Sequence, residues 1–332
     1  MTRTAREVVL AHAITEPATA ADFALIDRPL PDTLPPGSVH VRVRWLSLDP
    51  YVGQVLRGRH MGEAAPAPGM PLPGEGIGEI LASADPDHAV GDHVAGHFGW
   101  AEEAVVQASA LRKVDAAQGT FEHLGILGMP GLTAWVGTTQ LSRIEPGMTF
   151  CVDAAAGLVG GTAGQIARLL GARAVGIAGG ADKCAIVTGT YGFDACVDYR
   201  QDGWSDRLAE AAPGGIDVHF ENVGQKVLDT VLPRLSVNGQ VILCGLADHY
   251  GDGRPALLNA GLLVGKRATV RGLVVYDYVG RRQEWIDFAL PHLREGRLVE
   301  HDDIADGLEA APLQMERVAA GTTRGRPLVR VG

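Results

Sequence analysis

The sequence predicts an α/β protein with two domains, a β-rich domain and a domain built on a doubly wound parallel sheet. Three observations lead to this prediction: short strand-like segments occupy the first part of the chain, strands and helices alternate after it, and a glycine-rich turn joins a buried strand to a helix. The length of 332 residues provides enough material for two hydrophobic cores. We therefore assign residues 1–125 to the β-rich domain and 126–299 to the sheet domain, with 300–332 returning to complete the first.

Strand patterns without helical periodicity define the predicted β-rich domain. Apolar and charged residues alternate over Val39–Trp45, which indicates a strand with one buried and one wet face, and Pro35–Gly37 forms a turn before it. Glycine and proline separate further short strands, which are expected at 8–10, 78–81, 93–95 and 103–106. Met61–Gly78 is rich in glycine, proline and alanine, and we expect a loop there, of the kind that lines sites on rigid β scaffolds.

Alternating strands and helices define the predicted sheet domain. A helix is expected after Pro130–Gly131, and a mostly apolar strand at Met148–Ala156 precedes the glycine-rich turn. Further strands are expected at 174–178, 195–199, 216–221, 240–245 and 269–275, and helices at 183–190, 205–211, 226–235 and 282–295. This alternation indicates a parallel sheet with helices on both faces. A helix near 313–320 and a strand at Pro327–Val331 follow, and that strand is expected to rejoin the first domain.

Composition argues against several classes of partner. The net charge is −10, whereas nucleic-acid binding needs a basic surface. No apolar run approaches the roughly 18 residues of a membrane helix, and the first residues do not form the apolar core of a signal peptide. We therefore expect a cytoplasmic protein with neither a nucleic-acid nor a membrane partner. The four cysteines, at 151, 184, 196 and 244, lack the close spacing of a zinc lobe and are expected to act as small core residues.

The glycine-rich turn has the features of a phosphate-binding site. Gly157 permits a tight turn, Gly160 has no side chain that would keep a pyrophosphate at a distance, and Gly164 lets the helix lie close to the strand. The free N–H groups and the positive end of the dipole at the helix start then face the phosphates. The turn therefore predicts a dinucleotide cofactor.

The end of the second strand indicates which dinucleotide is bound. An NAD site places an acidic residue there to accept from the ribose hydroxyls, but this chain has Gly179, and Lys183 follows within one helical turn. A missing anion beside a cation suits a ribose that carries a phosphate, so NADP(H) is favoured. Asp182 leaves an alternative open: it replaces the missing acid, or it is a carboxylate favoured by the helix N-terminus. Tyr199, at the end of the third strand, is either a phosphate contact or an ordinary strand-end tyrosine, and Asn222, after the fourth, is placed to meet the nicotinamide-side ribose.

Seven motifs run through the chain in order: Leu48–Tyr51, Gly91–Gly96, Gly128–Ala134, Ala154–Gly160, Glu221–Gly224, Leu243–Gly245 and Arg271–Tyr278. As an ordered set they resemble the zinc-independent branch of the medium-chain dehydrogenase/reductase superfamily. More narrowly, the chain is similar to the prostaglandin reductase / alkenal double-bond reductase group, which includes curcumin reductase-like members. The resemblance covers nearly the whole chain.

The resemblance implies a GroES-like β domain and a Rossmann domain with NADPH bound between them, usually in a homodimer. It also implies reduction of a carbon–carbon double bond conjugated to a carbonyl. Lys183 and Tyr199 match the family's contacts to the 2′-phosphate, and Tyr250 matches the tyrosine beside the reacting carbonyl. The other positions that match the family's cofactor site are Met129, Thr133, Gly157, Leu158, Val159, Gly160, Gly180, Asn222, Cys244, Gly245, Leu273, Val274 and Val275.

Metal chemistry is not expected. Every cysteine lies at or after position 151, so the β-rich domain has no thiolate ligand, and Gly74–Gly76 stands where zinc-dependent relatives have Gly-His-Glu. His93 and His97 are four residues apart, but their segment is predicted to be a strand, and Gly96 would break a helix. Without a Lewis acid, the expected hydride acceptor is the activated double bond of an α,β-unsaturated ketone or aldehyde.

Hydride addition to such a substrate develops negative charge on its carbonyl oxygen, which a hydrogen-bond donor stabilises. Tyr250 is the first expected donor, together with a cofactor ribose hydroxyl, and Tyr51 is the second; water or Tyr250 then protonates the α-carbon. Each tyrosine has a structural alternative, Tyr250 as a surface loop residue and Tyr51 as a core aromatic. Two other functions stay open: a quinone reductase of the same superfamily and, because the chain departs from the family at Val52–Gly53 and Thr323–Arg326, a catalytically silent NADPH-binding protein.

Overall fold

The computed structural model describes residues 3–247 and 256–332. The chain divides into two compact units, Met1–Leu124 with Asp302–Gly332, and Gly125–His301. The predicted α/β fold class is confirmed, since the first unit is rich in strands and the second contains a parallel sheet with helices. In the two described ranges, no helix combines the length and apolar character that spanning a bilayer requires.

Short, mostly antiparallel strands form the first unit. Val39, Val41 and Val43, which alternate with charged residues in the sequence, are all buried, and this burial explains why their segment is a strand. The elements up to residue 124 are β1 (Thr4–Leu10), β2 (Phe23–Pro29), β3 (Ser38–Ser47), α1 (Val52–Val55), β4 (Glu75–Ser83), β5 (His93–His97), β6 (Trp100–Ala101), β7 (Glu103–Gln107) and β8 (Arg112–Val114). The predicted loop Met61–Gly78 is wrong at its end, because β4 already begins at Glu75.

A six-stranded parallel sheet forms the centre of the second unit as far as it is described. Its strands are β9 (Thr149–Val152), β10 (Arg173–Ala178), β11 (Ala195–Asp198), β12 (Ile216–Glu221), β13 (Leu235–Leu243) and β14 (Thr269–Gly272). Their order is β11-β10-β9-β12-β13-β14, which is the doubly wound arrangement. The helices are α2 (Met129–Thr139), α3 (Leu158–Leu169), α4 (Ala181–Ala185), α5 (Trp204–Ala211), α6 (Gln225–Val231), α7 (Ala260–Lys266) and α8 (Arg282–Arg294).

The end of the chain completes the first unit. The elements α9 (Ala311–Ala319), β15 (Asp302–Asp306) and β16 (Arg326–Arg330) belong to it, and β16 pairs antiparallel with β3 and parallel with β15. The larger sheet therefore has the order β15-β16-β3-β4-β5-β8, with β7 also paired to β3, and a smaller sheet has the order β2-β1-β6. The sequence patterns did not predict β2, β6, β8, β15, α1 or α7.

Several predicted boundaries are wrong by a few residues. The strand expected at 148–156 ends at Val152, because the chain turns at Ala154, whose φ is 45°. The strand expected at 269–275 ends at Gly272, and a 3₁₀ segment begins at Val275. The helix expected at 183–190 consists of α4 and a π-helical turn over Ile186–Thr190.

Candidate functional site

The carboxyl ends of the sheet strands meet along one edge of the second unit, because all the strand pairs are parallel. In an open α/β sheet this is the edge at which ligands bind. The segments that leave the sheet there are Gly157–Gly160 after β9, Gly180–Lys183 after β10, Tyr199 after β11, Asn222 after β12, Cys244–Gly245 after β13 and Leu273–Val275 after β14. The structure thus brings these sequence-predicted residues to one edge of one sheet.

The glycine-rich turn leads into a helix that no side chain caps. Gly157 is the N-cap residue of α3, and no side chain there accepts from the amides of the first turn. Leu158 and Val159 are the first two residues of the helix. Because the first N–H groups of a helix have no carbonyl partner within it, these amides are the donors that the turn offers to a phosphate.

Packing requires glycine at two positions of α3. A Cβ atom on Gly160 would lie 2.7 Å from the carbonyl oxygen of Ala154 and 2.9 Å from that of Asp153, so the helix approaches the end of its own strand here. A Cβ atom on Gly164 would lie 1.8 Å from the ring of Phe193. The contact that excludes a side chain at Gly164 is therefore with this ring, whereas the sequence analysis expected it with the strand.

Residues that follow β11 shape the end of β10. A Cβ atom on Gly179 would lie 2.9 Å from Tyr199 Cε1 and 2.9 Å from Arg200 Nε, so an acidic side chain at this position would have to displace both of these side chains. The carboxylate of Asp198 accepts hydrogen bonds from the amides of Gly180 (2.8 Å) and Arg200 (3.0 Å). Although burial raises the pKa of Asp198, these hydrogen bonds bring it below its usual value. An ionised carboxylate thus holds the two loops together.

Two cationic side chains lie over the Tyr199 ring. The Nζ atom of Lys226, on α6, is 4.9 Å from the ring centroid, and the Cζ atom of Arg200 is 6.0 Å from it. Both side chains are exposed, and among the described residues neither has a carboxylate within 4.0 Å. Lys183 lies on α4. Asp182 lies in the first turn of the same helix, which is the position expected of a carboxylate favoured by a helix N-terminus.

Arg200 and Lys226 were not predicted from the sequence as site residues. Arg200 directly follows the strand-end tyrosine, and this position was a signal that went unused. Lys226 lies on α6, which follows β12, and β12 is two strands away from β10 in the sheet. Only the folded chain therefore brings Lys226 to Tyr199.

The carboxyl group and the main chain of Asp153 hold the turn after β12. Asp153 accepts from the Asn222 amide at 2.6 Å, and the Asn222 side-chain Nδ2 donates to the main-chain oxygen of Asp153 at 3.1 Å. The main-chain oxygen of Asn222 accepts from Ala247, which ties the loop after β13 to this turn. Asn222 is therefore fixed on both sides.

Asp153, His219 and Glu221 form a fully buried group whose ligand-type atoms lie within 4.8 Å of one another. We call it the buried acid cluster. Its carboxylate oxygens already accept backbone N–H groups: Asp153 accepts from Asn222 and Val223, and Glu221 from Val223 and Gly224. We therefore interpret it as a hydrogen-bonded network and not as a metal site.

The remaining predicted cofactor residues line the same end of the second unit. The amides of Cys244 and Gly245 both donate to the main-chain oxygen of Glu221. Burial, followed by the Asp153 charge, raises the pKa of the Cys244 thiol to about 12, so this thiol stays protonated. Leu273 is buried, whereas Val274 is exposed. Val275 begins the 3₁₀ segment after β14.

Helix α2 carries Met129 and Thr133 one turn apart. The Thr133 hydroxyl donates to the main-chain oxygen of Met129 at 2.8 Å. The helix packs closely on β12, since a Cβ atom on Gly137 would lie 2.2 Å from the Phe220 ring. The missing side chain at Gly137 is thus what allows α2 to lie over the fourth strand.

Of the two tyrosines predicted as donors, one lies among the described residues. Tyr250 lies outside the described residues. Tyr51 belongs to the first unit, where it precedes α1 and its half-buried ring packs on His60 with 5.4 Å between the ring centroids. This ring contact is compatible with either of its predicted roles.

Asp49 lies in the same motif as Tyr51 and has an unusual titration. Burial raises the pKa of its carboxyl to about 6. A hydrogen bond from the Ser47 hydroxyl stabilises the ionised form and opposes part of this rise. Because the folded pKa is above the unfolded value, the ionised carboxylate destabilises the fold, and the penalty develops as pH rises from about 4 through 6.

We expect Asp49→Asn to stabilise the protein by about 1–3 kcal/mol at pH 8 and to have little effect at pH 4. Urea denaturation at both pH values measures this difference. Replacement of the exposed Asp32 by Asn is the control and should leave stability unchanged at either pH. An equal effect of Asp49→Asn at pH 4 and pH 8 would contradict the prediction.

A glycine-rich βα turn at the edge of a doubly wound parallel sheet defines a dinucleotide-binding α/β protein. The family model for the N-terminal domain of oxidoreductase matches residues 6–114, and the model described as zinc-binding dehydrogenase matches 159–295. The chain is 38% identical to the NADPH-dependent curcumin reductase of Escherichia coli K12, over 89% of this chain and 88% of that protein. It belongs to the zinc-independent medium-chain dehydrogenase/reductase superfamily, in the alkenal double-bond reductase group of oxidoreductases. The resemblance predicted from the motifs is confirmed.

Two further comparisons cover almost the whole chain. The 2-alkenal reductase (NADP(+)-dependent) of Nicotiana tabacum is 33% identical, over 98% of this chain and 97% of that protein. The crystal structure of CurA from Vibrio vulnificus in complex with NADPH has a TM-score of 0.91 and 31% identity, covering 98% of this chain and 99% of that one.

Proposed function

We propose that the protein is an NADPH-dependent reductase of the carbon–carbon double bond of α,β-unsaturated ketones and aldehydes. The observation that supports the cofactor most directly is the end of β10. There, an acid in place of Gly179 would have to displace the Tyr199 and Arg200 side chains, and Arg200 and Lys226 flank Tyr199 with no carboxylate within 4.0 Å of either cationic group among the described residues. Two cations beside a tyrosine ring fit a ribose 2′-phosphate and would be uncompensated beside a ribose hydroxyl. The NADP-dependent names of the relatives agree with this assignment.

The other predicted residues have consistent roles in this proposal. The amides of Leu158 and Val159 bind the pyrophosphate, Asn222 meets the nicotinamide-side ribose, and Thr133 and Leu273 line the nicotinamide end. The reduced nicotinamide supplies the hydride, which adds to the β-carbon of the substrate. Tyr250 donates a hydrogen bond to the carbonyl oxygen, where negative charge develops during this addition, and lowers the barrier by about 2.7–4 kcal/mol on the scale of oxyanion-hole donors. Water or Tyr250 then protonates the α-carbon, which completes the reduction.

A steady-state assay with a panel of enals, enones and quinones tests the proposal. We expect oxidation of NADPH with enals and enones, and at least about a hundredfold lower kcat/KM with NADH. Turnover of quinones but not of enones would replace the proposed activity by that of a quinone reductase. Tight NADPH binding without turnover of any of these substrates would make the protein a binding protein.

We expect Tyr250→Phe to lower kcat by about 100-fold or more while leaving the Kd for NADPH within about twofold, because the hydroxyl acts on the substrate carbonyl only. Stopped-flow and fluorescence titration measure the two quantities. Tyr51→Phe is the companion variant, and we expect a smaller loss because Tyr51 is the second candidate donor. A large loss with Tyr51→Phe alone would move the donor role to Tyr51.

We also propose a cytoplasmic homodimer. In the part of the second unit that the structure describes, strand β14 is the edge of the sheet, and an exposed edge strand is a surface on which a second chain can pair. Exposed apolar side chains occur in the segments that precede and follow it in the sequence, at Leu257, Val264, Val274, Tyr276 and Val279. Light scattering on the wild-type protein and on Val264→Lys tests this proposal, and a monomeric wild-type protein would refute it.

A further inference from the structure

The buried acid cluster lies directly beneath the Asn222 turn. His219 and Glu221 are two residues apart on β12 and point to the same face of the sheet, and Asp153 directly follows β9, the neighbouring strand. All three side chains are fully buried. Groups of this kind are costly to bury unless their hydrogen bonds are satisfied, so their contacts indicate what they do.

The contacts of the two carboxyl groups converge on consecutive amides of one turn. Oδ1 of Asp153 accepts from the Asn222 amide (2.6 Å), and its Oδ2 accepts from the Val223 amide (3.2 Å). Oε1 of Glu221 accepts from the amides of Val223 (2.7 Å) and Gly224 (2.6 Å). The turn after β12 is therefore held by side chains at three successive residues.

The Asn222 side chain is oriented by the same acid. Its Nδ2 donates to the main-chain oxygen of Asp153 at 3.1 Å and to Oδ1 of Asp153 at 3.3 Å. The side-chain Nδ2 of Asn222 is thereby held by Asp153, and its Oδ1, which takes no part in these contacts, is an acceptor for a ligand hydroxyl.

The cluster holds fewer charges than it has ionisable groups. Burial, and then the neighbouring Glu221, raise the pKa of Asp153 well above its usual value. Burial lowers the pKa of His219, whose Nε2 lies 3.0 Å from Oε2 of Glu221. The thiols that face Asp153, those of Cys151 and Cys244, have raised pKa values and are neutral. Asp153 and the His219 imidazole are thus both shifted toward their neutral forms.

We propose that Asp153 is a positioning residue, whose hydrogen bonds preset the Asn222 turn to receive the nicotinamide-side ribose of the cofactor. Burial favours the neutral form of this acid. This inference rests on the proposed function. Asp153 acts through Asn222 and does not itself touch the cofactor. The cluster therefore contributes to cofactor affinity more than to the chemical step.

Three variants and a nicotinamide-fluorescence titration with NADPH test the inference. We expect Asp153→Ala to raise the Kd for NADPH at least tenfold, with kcat at saturating NADPH lowered less than threefold. Asp153→Asn places a neutral amide where the protonated acid stood, and its Kd should stay within threefold of the wild type. The control is Asp217→Ala, which removes a carboxylate that accepts from the Thr149 amide at the opposite end of the same two strands, and its Kd should be unchanged.

Two results would overturn the inference. The first is an unchanged Kd in Asp153→Ala, whatever its melting temperature; if that variant does not fold, an unchanged Kd in Asp153→Ser is equivalent. The second is an Asp153→Asn variant as impaired as Asp153→Ala, because an ionised acid would then be needed. Wild-type protein that fails to bind NADPH would refute the proposed function instead, so the two failures are distinguishable.

Discussion

The double variant Arg200→Ala/Lys226→Ala is expected to lose at least about 30-fold in kcat/KM for NADPH and to keep its kcat/KM for NADH. Hydrogen bonds to charged groups contribute about 1.5–3 kcal/mol each when sheltered. Both side chains are exposed here, so solvent screening reduces the sum to about 2 kcal/mol, which corresponds to that factor. Steady-state kinetics with the two nucleotides measure the change in preference.

A general loss of positive charge is a competing explanation for a lower kcat/KM with NADPH. A matched variant distinguishes this effect from the loss of the two cations beside Tyr199. Arg207 is exposed on α5 and takes no part in the proposed site, so Arg207→Ala should keep the NADPH preference of the wild type. The preference of the wild type should also weaken as ionic strength rises, because the cations are screened. Equal losses of kcat/KM with NADPH and NADH in the double variant would show that these cations do not bind the 2′-phosphate.

Replacement of Gly160 by alanine is the second change with a large expected effect. The new methyl group would lie 2.7 Å and 2.9 Å from two backbone carbonyl oxygens, and no rotamer can relieve a contact with backbone. We expect a loss of about 2–4 kcal/mol in stability and a fall in the melting temperature of roughly 5–10 °C. Because α3 must shift away from the end of β9, the Kd for NADPH should rise at least about tenfold.

Gly189→Ala is the control for that substitution. Gly189 lies in the π-helical turn of the same unit, and a Cβ atom there would meet nothing within 4 Å. Its melting temperature and its Kd for NADPH should match the wild type. A Gly160→Ala protein with wild-type stability would contradict the prediction, because α3 could then move away from the end of β9 without a loss of stability.

Local sequence patterns predicted most elements of the second unit, because its buried strands and amphipathic helices differ in period and are separated by glycine. The boundaries failed where backbone conformation departs from these patterns, as at Ala154 with its positive φ. β15 was missed because Asp302–Asp306 is mostly acidic, and it becomes a strand only by pairing with β16. Pairing partners distant in sequence leave no local signal.

The candidate site, like the fold, was predictable where local patterns and topology determine it. Strand-end positions such as Gly179, Tyr199 and Asn222 follow from topology, since every parallel strand delivers its next residue to the same edge. The convergence of Lys226 on Tyr199 and of Asp153 on Asn222 was not predictable, because each depends on the packing of elements far apart in the chain. Glycine spacing indicated a turn, but only the folded chain identifies which atom excludes a side chain at Gly164.

The position of β16 between β15 and β3 has a consequence for biosynthesis. During translation, β3 leaves the ribosome early, whereas β16, which pairs with it, emerges only after the entire second unit. A nascent chain therefore acquires its parallel sheet while the earlier unit still exposes unpaired backbone to chaperones, and removal of the last few residues would leave that exposure permanent.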